Sequence, residues 1–257
     1  MLFTKVMSAN MRTPALWSNE PGYGVTLMLD QSLISDFPLF DGLGPDALDD
    51  ILARAHARHY AKGTPVFSQN EEAHSFFLLL HGRLRVTQVT PHGEQIVVRF
   101  VSPGDLFGVA MALGRDTYPG TATAIVDSLV LLWPSAAWPE LVSRHPLLAN
   151  NTMRMIGGRL QEAHKRLREI STEDVERRVA HAVLKLAEEA GQPSAGTTLI
   201  DFPLSRQDIA ELTATTLHTV SRLISAWEAA GVIEGGRQRI AIRDRKRLQT
   251  IADGQAS

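Results

Sequence analysis

The stretch from residue 205 to 222, SRQDIAELTATTLHTVSR, constrains this chain more than any other. Ser205 can accept a hydrogen bond from a free backbone N–H at a helix start, and Asp208 stands three residues on, an S-x-x-D capping pattern. Ile209 and Leu212 give that first helix an apolar face. Thr216 caps a second helix, whose inner face is Val220, Leu223, Ile224 and Trp227 at helical spacing. Its opposite face carries Leu217, His218, Ser221 and Arg222, and Gly231 supplies the left-handed residue that ends it. Two short helices with a tight turn, and small polar and basic groups on the outer face of the second, fit a helix-turn-helix that enters a DNA major groove. A helical hairpin packed inside some other domain is the alternative, and the flanking segments favour DNA.

Downstream, Val232 to Ile242 reads as a hairpin with a Gly235-Gly236 turn, which makes the unit a winged helix-turn-helix. Arg237, Arg239, Arg243, Arg245, Lys246 and Arg247 crowd this end, a local positive footprint in a chain of net charge −2. That balance excludes a generally basic coat for nonspecific nucleic-acid binding, yet suits a protein that reads one site. Upstream, the spacing of Val179, Val183, Leu184 and Leu186 predicts a helix from Val175, with Ser171 or Thr172 as its cap. Residues 191–196 read as a loop and Leu199 to Phe202 as a short strand.

A longer helix is predicted from Leu147 to about Ile170. Met153, Ile156, Leu160, Ala163, Leu167 and Ile170 recur at alternating steps of three and four, a heptad seam. A seam this narrow predicts a parallel homodimer, the alternative being packing against the chain's own domain. Gly157 and Gly158 inside it cost roughly 1 kcal/mol each against alanine. A short helix from Pro139 to His145 precedes it.

Between Tyr60 and Pro134 the texture is different. Short runs rich in β-branched and aromatic residues recur at Pro65–Phe67, Phe76–Leu80, Leu84–Val89, Gln95–Val101, Thr121–Val126 and Leu129–Trp133, broken by Gly, Pro and Asp-Ser corners. No helical pattern intervenes to make parallel crossovers, so a sandwich or jelly roll is expected. Pro45 to His56 reads as a helix with Leu48, Ile51, Leu52 and Ala55 on one face. His56 and His59 fall near its end, a spacing that suits the helix dipole better than a metal. Residues 1–30 lack periodicity and read as a poorly ordered extension. The chain has no cysteine, which excludes disulfides, zinc–thiolate sites and an iron–sulfur cluster. No apolar run is long enough to span a bilayer and no signal peptide is evident, so a cytoplasmic protein without membrane partners is expected. Neither a Ser-His-Asp order, a carboxylate pair nor a phosphate loop stands out, and no enzyme is expected.

The order β-roll, long helix, winged helix-turn-helix resembles the cyclic-AMP receptor protein / fumarate-nitrate reduction regulator (CRP/FNR) family of transcription factors, over roughly residues 35–247. Pro103-Gly-Asp-Leu-Phe-Gly108, Arg206-Gln-Asp-Ile-Ala210 and Thr219-Val-Ser-Arg222 carry the resemblance. It implies an α+β chain divided into an extension (1–30), a β-roll sensor domain of the cyclic-nucleotide-binding type (31–145), a dimerisation helix (146–171) and a winged helix-turn-helix (172–257). It also implies double-stranded DNA, a second copy of the chain and RNA polymerase as partners. Family members read a half-site with a glutamate and an arginine four residues apart; here the arginine is Arg222 but the glutamate position holds His218. Arg222 can pair bidentately with guanine, whereas a protonated histidine cannot accept from cytosine N4. Ser221 and Thr219 are placed for base or phosphate contact, Leu217 for a thymine methyl, and Ser205, Arg206, Gln207 and Thr216 match phosphate-holding positions. The family's turn glycine is Ala214 here.

In the roll, the family's cyclic-nucleotide pocket has a glutamate after the glycine and an Arg-Ser pair for the phosphate. This chain has Phe107-Gly108-Val109 and Tyr118-Pro119-Gly-Thr121 at those places. An uncharged pocket would bury a cyclic phosphate unpaired, which argues against cyclic AMP. The Tyr-Pro-x-Thr loop and the Thr-Leu-His-Thr-Val-Ser-Arg helix resemble the family's nitrogen-oxide branch, the regulators of denitrification genes, which implies haem and a response to nitric oxide. His74, His81, His92, His164 and Met111 are the available axial ligands, none favoured over the others. A regulator that answers another small molecule, a cyclic nucleotide or an organic effector, or that is constitutively competent for DNA, is the alternative.

Overall fold

The computed structural model describes residues 30–194 and 196–255; the expected N-terminal extension lies outside the described residues. After two short 3-10 turns, α1 (Pro45–Leu52) leads into eight strands: β1 (His56–Tyr60), β2 (Pro65–Phe67), β3 (Ser75–His81), β4 (Leu84–Val89), β5 (Gln95–Val101), β6 (Leu106–Phe107), β7 (Thr121–Ala124) and β8 (Ser128–Pro134). Two antiparallel sheets, in the orders β1-β8-β3-β6 and β2-β7-β4-β5, make the roll. Helices α2 (Trp138–Arg144) and α3 (Pro146–Thr172) follow.

The apolar run of β3 explains the layering. Phe76, Leu78 and Leu80 face a core shared with α1, α2 and the start of α3, while Phe77 and Leu79 face the core between the sheets. A strand buried on both sides needs no polar alternation. Trp133 donates its indole N–H to the Ile51 carbonyl at 2.8 Å, which fastens α1 to β8. The buried Asn151 amide donates to the carbonyls of Leu39 (3.0 Å) and Asp41 (2.9 Å), which pins the first turns of α3 to the segment before α1.

The C-terminal unit comprises α4 (Val175–Ala190), β9 (Gly191–Ser194), β10 (Thr197–Ile200), α5 (Arg206–Leu212), α6 (Leu217–Ala229), β11 (Ile233–Gly236), β12 (Arg239–Ile242) and α7 (Arg245–Ala252). Its sheet runs β11-β12-β10-β9.

Four local expectations are corrected. The first helix stops at Leu52, and His56 and His59 lie on β1, where pairing with Leu132 and Leu129 of β8 satisfies the backbone and Ala57 and Tyr60, on opposite faces of the strand, enter the two different cores of the roll. Ser171 and Thr172 do not cap α4. Their hydroxyls donate back to the Leu167 and Arg168 carbonyls, at 2.8 Å each, inside the last turn of α3, so the 171/172 boundary is moved to Thr172. Asp174 caps α4 instead, accepting from the Arg177 N–H at 3.0 Å. Residues 191–194 form an edge strand rather than a loop, a place where Pro193 needs no donor. Gly235 and Gly236 lie within β11, and the wing turns at Arg237-Gln238, with Gln238 at φ 57°. A Cβ at Gly235 would require only the end of the Glu228 side chain to shift.

Candidate nucleic-acid interface

The N-termini of both helices of the helix-turn-helix are fixed by the caps read from the sequence. The Ser205 hydroxyl accepts from the Asp208 N–H (3.0 Å), and the Asp208 carboxylate accepts from the Ser205 N–H (2.9 Å) and its hydroxyl (2.6 Å). This reciprocal box is buried at Asp208. The Thr216 hydroxyl accepts from the Thr219 N–H at 3.2 Å to start α6. Between them Ala214 takes a positive φ of 52°. Arg178, from α4, donates to the Thr213 carbonyl (3.2 Å) and the Ala214 carbonyl (3.5 Å) and braces the turn. Gly231 closes α6 at φ 70°.

Val220, Ile224 and Trp227 point inward and are buried, with the Trp227 indole N–H donated to Glu176 at 3.0 Å. The outer face presents Leu217, 47% exposed, together with exposed His218 and Arg222 and half-buried Ser221. Thr216 is exposed, but the Thr219 hydroxyl is half-buried and lies 2.9 Å from the Thr216 hydroxyl, so it is engaged at the cap. Ser205, Arg206 and Gln207 sit at the adjoining N-terminus of α5. Arg206 approaches Glu228 at 3.5 Å, and the Gln207 amide donates to Glu211 at 2.9 Å. A groove lined by Leu204, Arg206, Leu217, Gly236, Arg237 and Arg239 separates α5 and α6 from the wing. Fixed donors and cations around an exposed helix face are the chemistry that holds phosphates and reads base edges.

On α3, Met153, Leu160 and Leu167 are 71%, 56% and 62% exposed, Ala163 is also exposed, and Ile170 is near the same face. Ile156 departs from the seam: it is half-buried and packs against the roll's helical core. The other side of α3 is bolted to the roll. Arg166 donates to the Val98 (2.8 Å) and Val97 (2.9 Å) carbonyls, and Arg159 donates to Asp105 and the Leu106 carbonyl. Burial pulls the Arg159 guanidinium down to about 10.

Inside the roll, aromatic rings fill the space between the sheets. Tyr118 stacks on Phe67 with centroids 3.9 Å apart, and Phe77 stacks on Phe107 at 5.2 Å. The Tyr118 hydroxyl donates to the Ser75 carbonyl at 2.7 Å, and burial raises its pKa. Gly108 has φ 67°, and a Cβ there would meet the Phe77 ring. The remaining effector candidates do not converge with these. Val109 belongs to the other core, Pro119 is exposed, and the Thr121 hydroxyl accepts from the Gln69 N–H at 2.9 Å. The proposed haem ligands lie at the surface: His74 pairs with Glu72 at 2.9 Å, His81, His92 and His164 are exposed, and Met111 is 48% exposed. Haem does not fit a roll whose interior is occupied by rings and whose candidate ligands face outward. Among the described residues no cluster of three or more His, Asp or Glu side chains could hold a metal ion, and no helix is long and apolar enough to cross a membrane.

Sequence reasoning missed Arg178 and Arg85, both of which hold the helix-turn-helix. Each acts across the fold on a partner distant in sequence, and neither stands in a motif.

Residues 57–145 match the cyclic nucleotide-binding domain family and residues 177–251 the Crp-like helix-turn-helix domain family. Among curated proteins, the chain is 31% identical to the cyclic AMP receptor protein of Thermus thermophilus over 85% of this chain and 98% of that one. It is 28% identical to the transcriptional activator protein FnrA of Stutzerimonas stutzeri, over 81% and 84% respectively. Among solved structures, FixK2 from Bradyrhizobium japonicum superposes with a TM-score of 0.67 at 26% identity, over 77% of this chain and 96% of that one.

Proposed function

The chain belongs to the CRP/FNR family of DNA-binding transcription regulators, and we propose that it acts as a homodimer on a pseudo-palindromic site under control of a small molecule perceived by the roll. The observation that carries this reading is the exposed outer face of α6, with Leu217, His218, Ser221 and Arg222 beside the phosphate-holding positions Ser205, Arg206, Gln207 and Thr216. Arg222 reads a guanine, and one α6 from each subunit enters successive major grooves about 34 Å apart. The exposed stripe of Met153, Leu160, Ala163, Leu167 and Ile170 supports pairing of two α3 helices. On this division the sensor spans 31–145, the dimer helix runs to Thr172, and the DNA-binding unit follows.

The Thermus relative bears the name of a cyclic AMP receptor, which puts a cyclic nucleotide first among effectors to try. Against it stand Val109 and the Tyr118–Thr121 loop, which bring no charge to a phosphate. The nitric-oxide reading rests on that loop and on the α6 sequence alone, and the roll does not fit the haem it needs. An effector entering between the sheets must displace Tyr118 from Phe67. It acts as a switch only by binding the DNA-competent arrangement more tightly than the other.

The test is fluorescence anisotropy on a labelled duplex with inverted TTG half-sites. The samples are protein alone, protein with cyclic AMP, and protein mixed with ferrous haem under nitric oxide. Tight, competitor-resistant binding that appears with cyclic AMP supports the roll as a nucleotide sensor. The same response with haem and nitric oxide alone restores the nitrogen-oxide reading. Equal binding in all samples overturns small-molecule control by either.

A further inference from the structure

The roll does more than carry α3: it grips the helix-turn-helix directly. Arg85 on β4 pairs its guanidinium with the Asp208 carboxylate, the same group that completes the capping box of α5. The pair is poorly hydrated, with the Asp208 side chain 7% and the Arg85 side chain 30% exposed, so solvent screens it little. On the neighbouring strand the Gln95 amide donates to Glu211 at 3.2 Å. Val97 and Phe100 of β5 are buried in one continuous core with Ile209, Val220 and Ile224, and the Phe100 and Phe202 rings lie 5.0 Å apart. Arg83 lies over the other partner of that pair, 4.8 Å from the Phe202 centroid. The β4–β5 hairpin therefore touches α5 by a charge pair, an amide contact and an apolar core together.

None of these contacts uses the outer face of α6. Leu217, His218 and Arg222 stay exposed while Asp208, Ile209 and Ala210 are buried. A DNA-binding unit left free on its hinge would lose that freedom on binding and bind more weakly, whereas one already held loses little.

We infer that Arg85 is a positioning residue for DNA reading: through Asp208 it holds α5, and so α6, in the attitude that presents the reading face. This rests on α6 being the DNA-reading helix. It also gives the roll a route to the DNA site through β4 and β5, separate from α3.

The chain has no cysteine, so introduced thiols are the only ones present. In the full-length Gln95→Cys/Glu211→Cys variant, a short bis-maleimide that spans the reach of the two replaced side chains should join the thiols within one chain without DNA. Once joined, the protein should bind a duplex selected by the wild-type protein from a random pool at least as tightly as before reaction. Failure to cross-link within one chain, or binding at least tenfold weaker when joined, overturns the inference. Arg85→Gln should weaken binding to the selected duplex about tenfold, a typical coupling between sites, with binding to random duplex unchanged and the chain still folded by circular dichroism at the assay temperature. Arg85→Lys should recover most of that loss. An equal loss on random duplex, or no rescue, also overturns it. If the wild-type protein selects no duplex at all, the reading role of α6 fails instead, while the cross-link still reports whether the hairpin and α5 are docked.

Discussion

Arg178 donates to the carbonyls of both Thr213 and Ala214, and so a side chain from α4 holds Ala214, a non-glycine residue in a left-handed conformation. An L-residue there costs about 1–2 kcal/mol. Glycine would remove that strain while losing about 0.5–1 kcal/mol through a freer unfolded chain. Ala214→Gly should therefore stabilise the protein by about 0.5–1 kcal/mol, read as a higher urea midpoint at unchanged slope. A lower midpoint would mean that the bracing from Arg178 already removes the strain.

Removing the Arg222 guanidinium tests the reading face. Arg222→Ala should weaken specific binding by about 1–3 kcal/mol and relax preference at one base pair, measured by competition against single-base variants of the site. Equal loss on specific and random duplex would reassign Arg222 to phosphate contact.

His218 stands one helical turn before Arg222 on the exposed face of α6. A carboxylate there accepts from cytosine N4, which a protonated imidazole cannot do. His218→Glu should shift the base preferred at one position of each half-site toward cytosine in a selection from randomised duplexes. An unchanged preference would place His218 away from the bases.

The stripe on α3 gives a fourth test. Leu160 and Leu167 are exposed, so replacing both with Asp should leave the chain folded and turn a dimer into a monomer by sedimentation equilibrium, with a parallel loss of DNA affinity. A dimer that survives both changes would place the interface elsewhere.

Acid stability should report on the base of α3. The Asp50 carboxyl is held below its ordinary value, first by the hydrogen bond with His145 at 2.7 Å and then by Arg144 and Arg54. A lowered carboxyl contributes stability above its unfolded value, near 4, and loses that contribution as pH falls through the folded value. Asp50→Asn should lower the melting temperature at neutral pH and flatten its fall below about pH 4, so that variant and parent converge in acid. The same acid slope in the variant would exclude this cluster.

The helix-turn-helix was legible in the sequence because its caps are local: Ser205, Asp208 and Thr216 act within three residues of themselves. The roll strands were legible as apolar runs broken by corners. What misled was competition between local and distant partners. His56 continues a helical pattern, but β8 offers its backbone a ladder; Ser171 and Thr172 look like caps, but donate into the turn behind them. The aromatic filling of the roll was invisible for a like reason, since Phe67, Phe77, Phe107 and Tyr118 come from four separate segments. Arg85 and Asp208, 123 residues apart, could be joined only by the fold.

The bare leucines of α3 also tie gene control to abundance. If site occupancy requires two chains joined along that stripe, then below the dimer dissociation constant, and while the site is far from saturated, it rises with the square of chain concentration. A twofold change in expression then becomes about a fourfold change in occupied promoter, a gain set by Leu160 and Leu167 before any effector is bound.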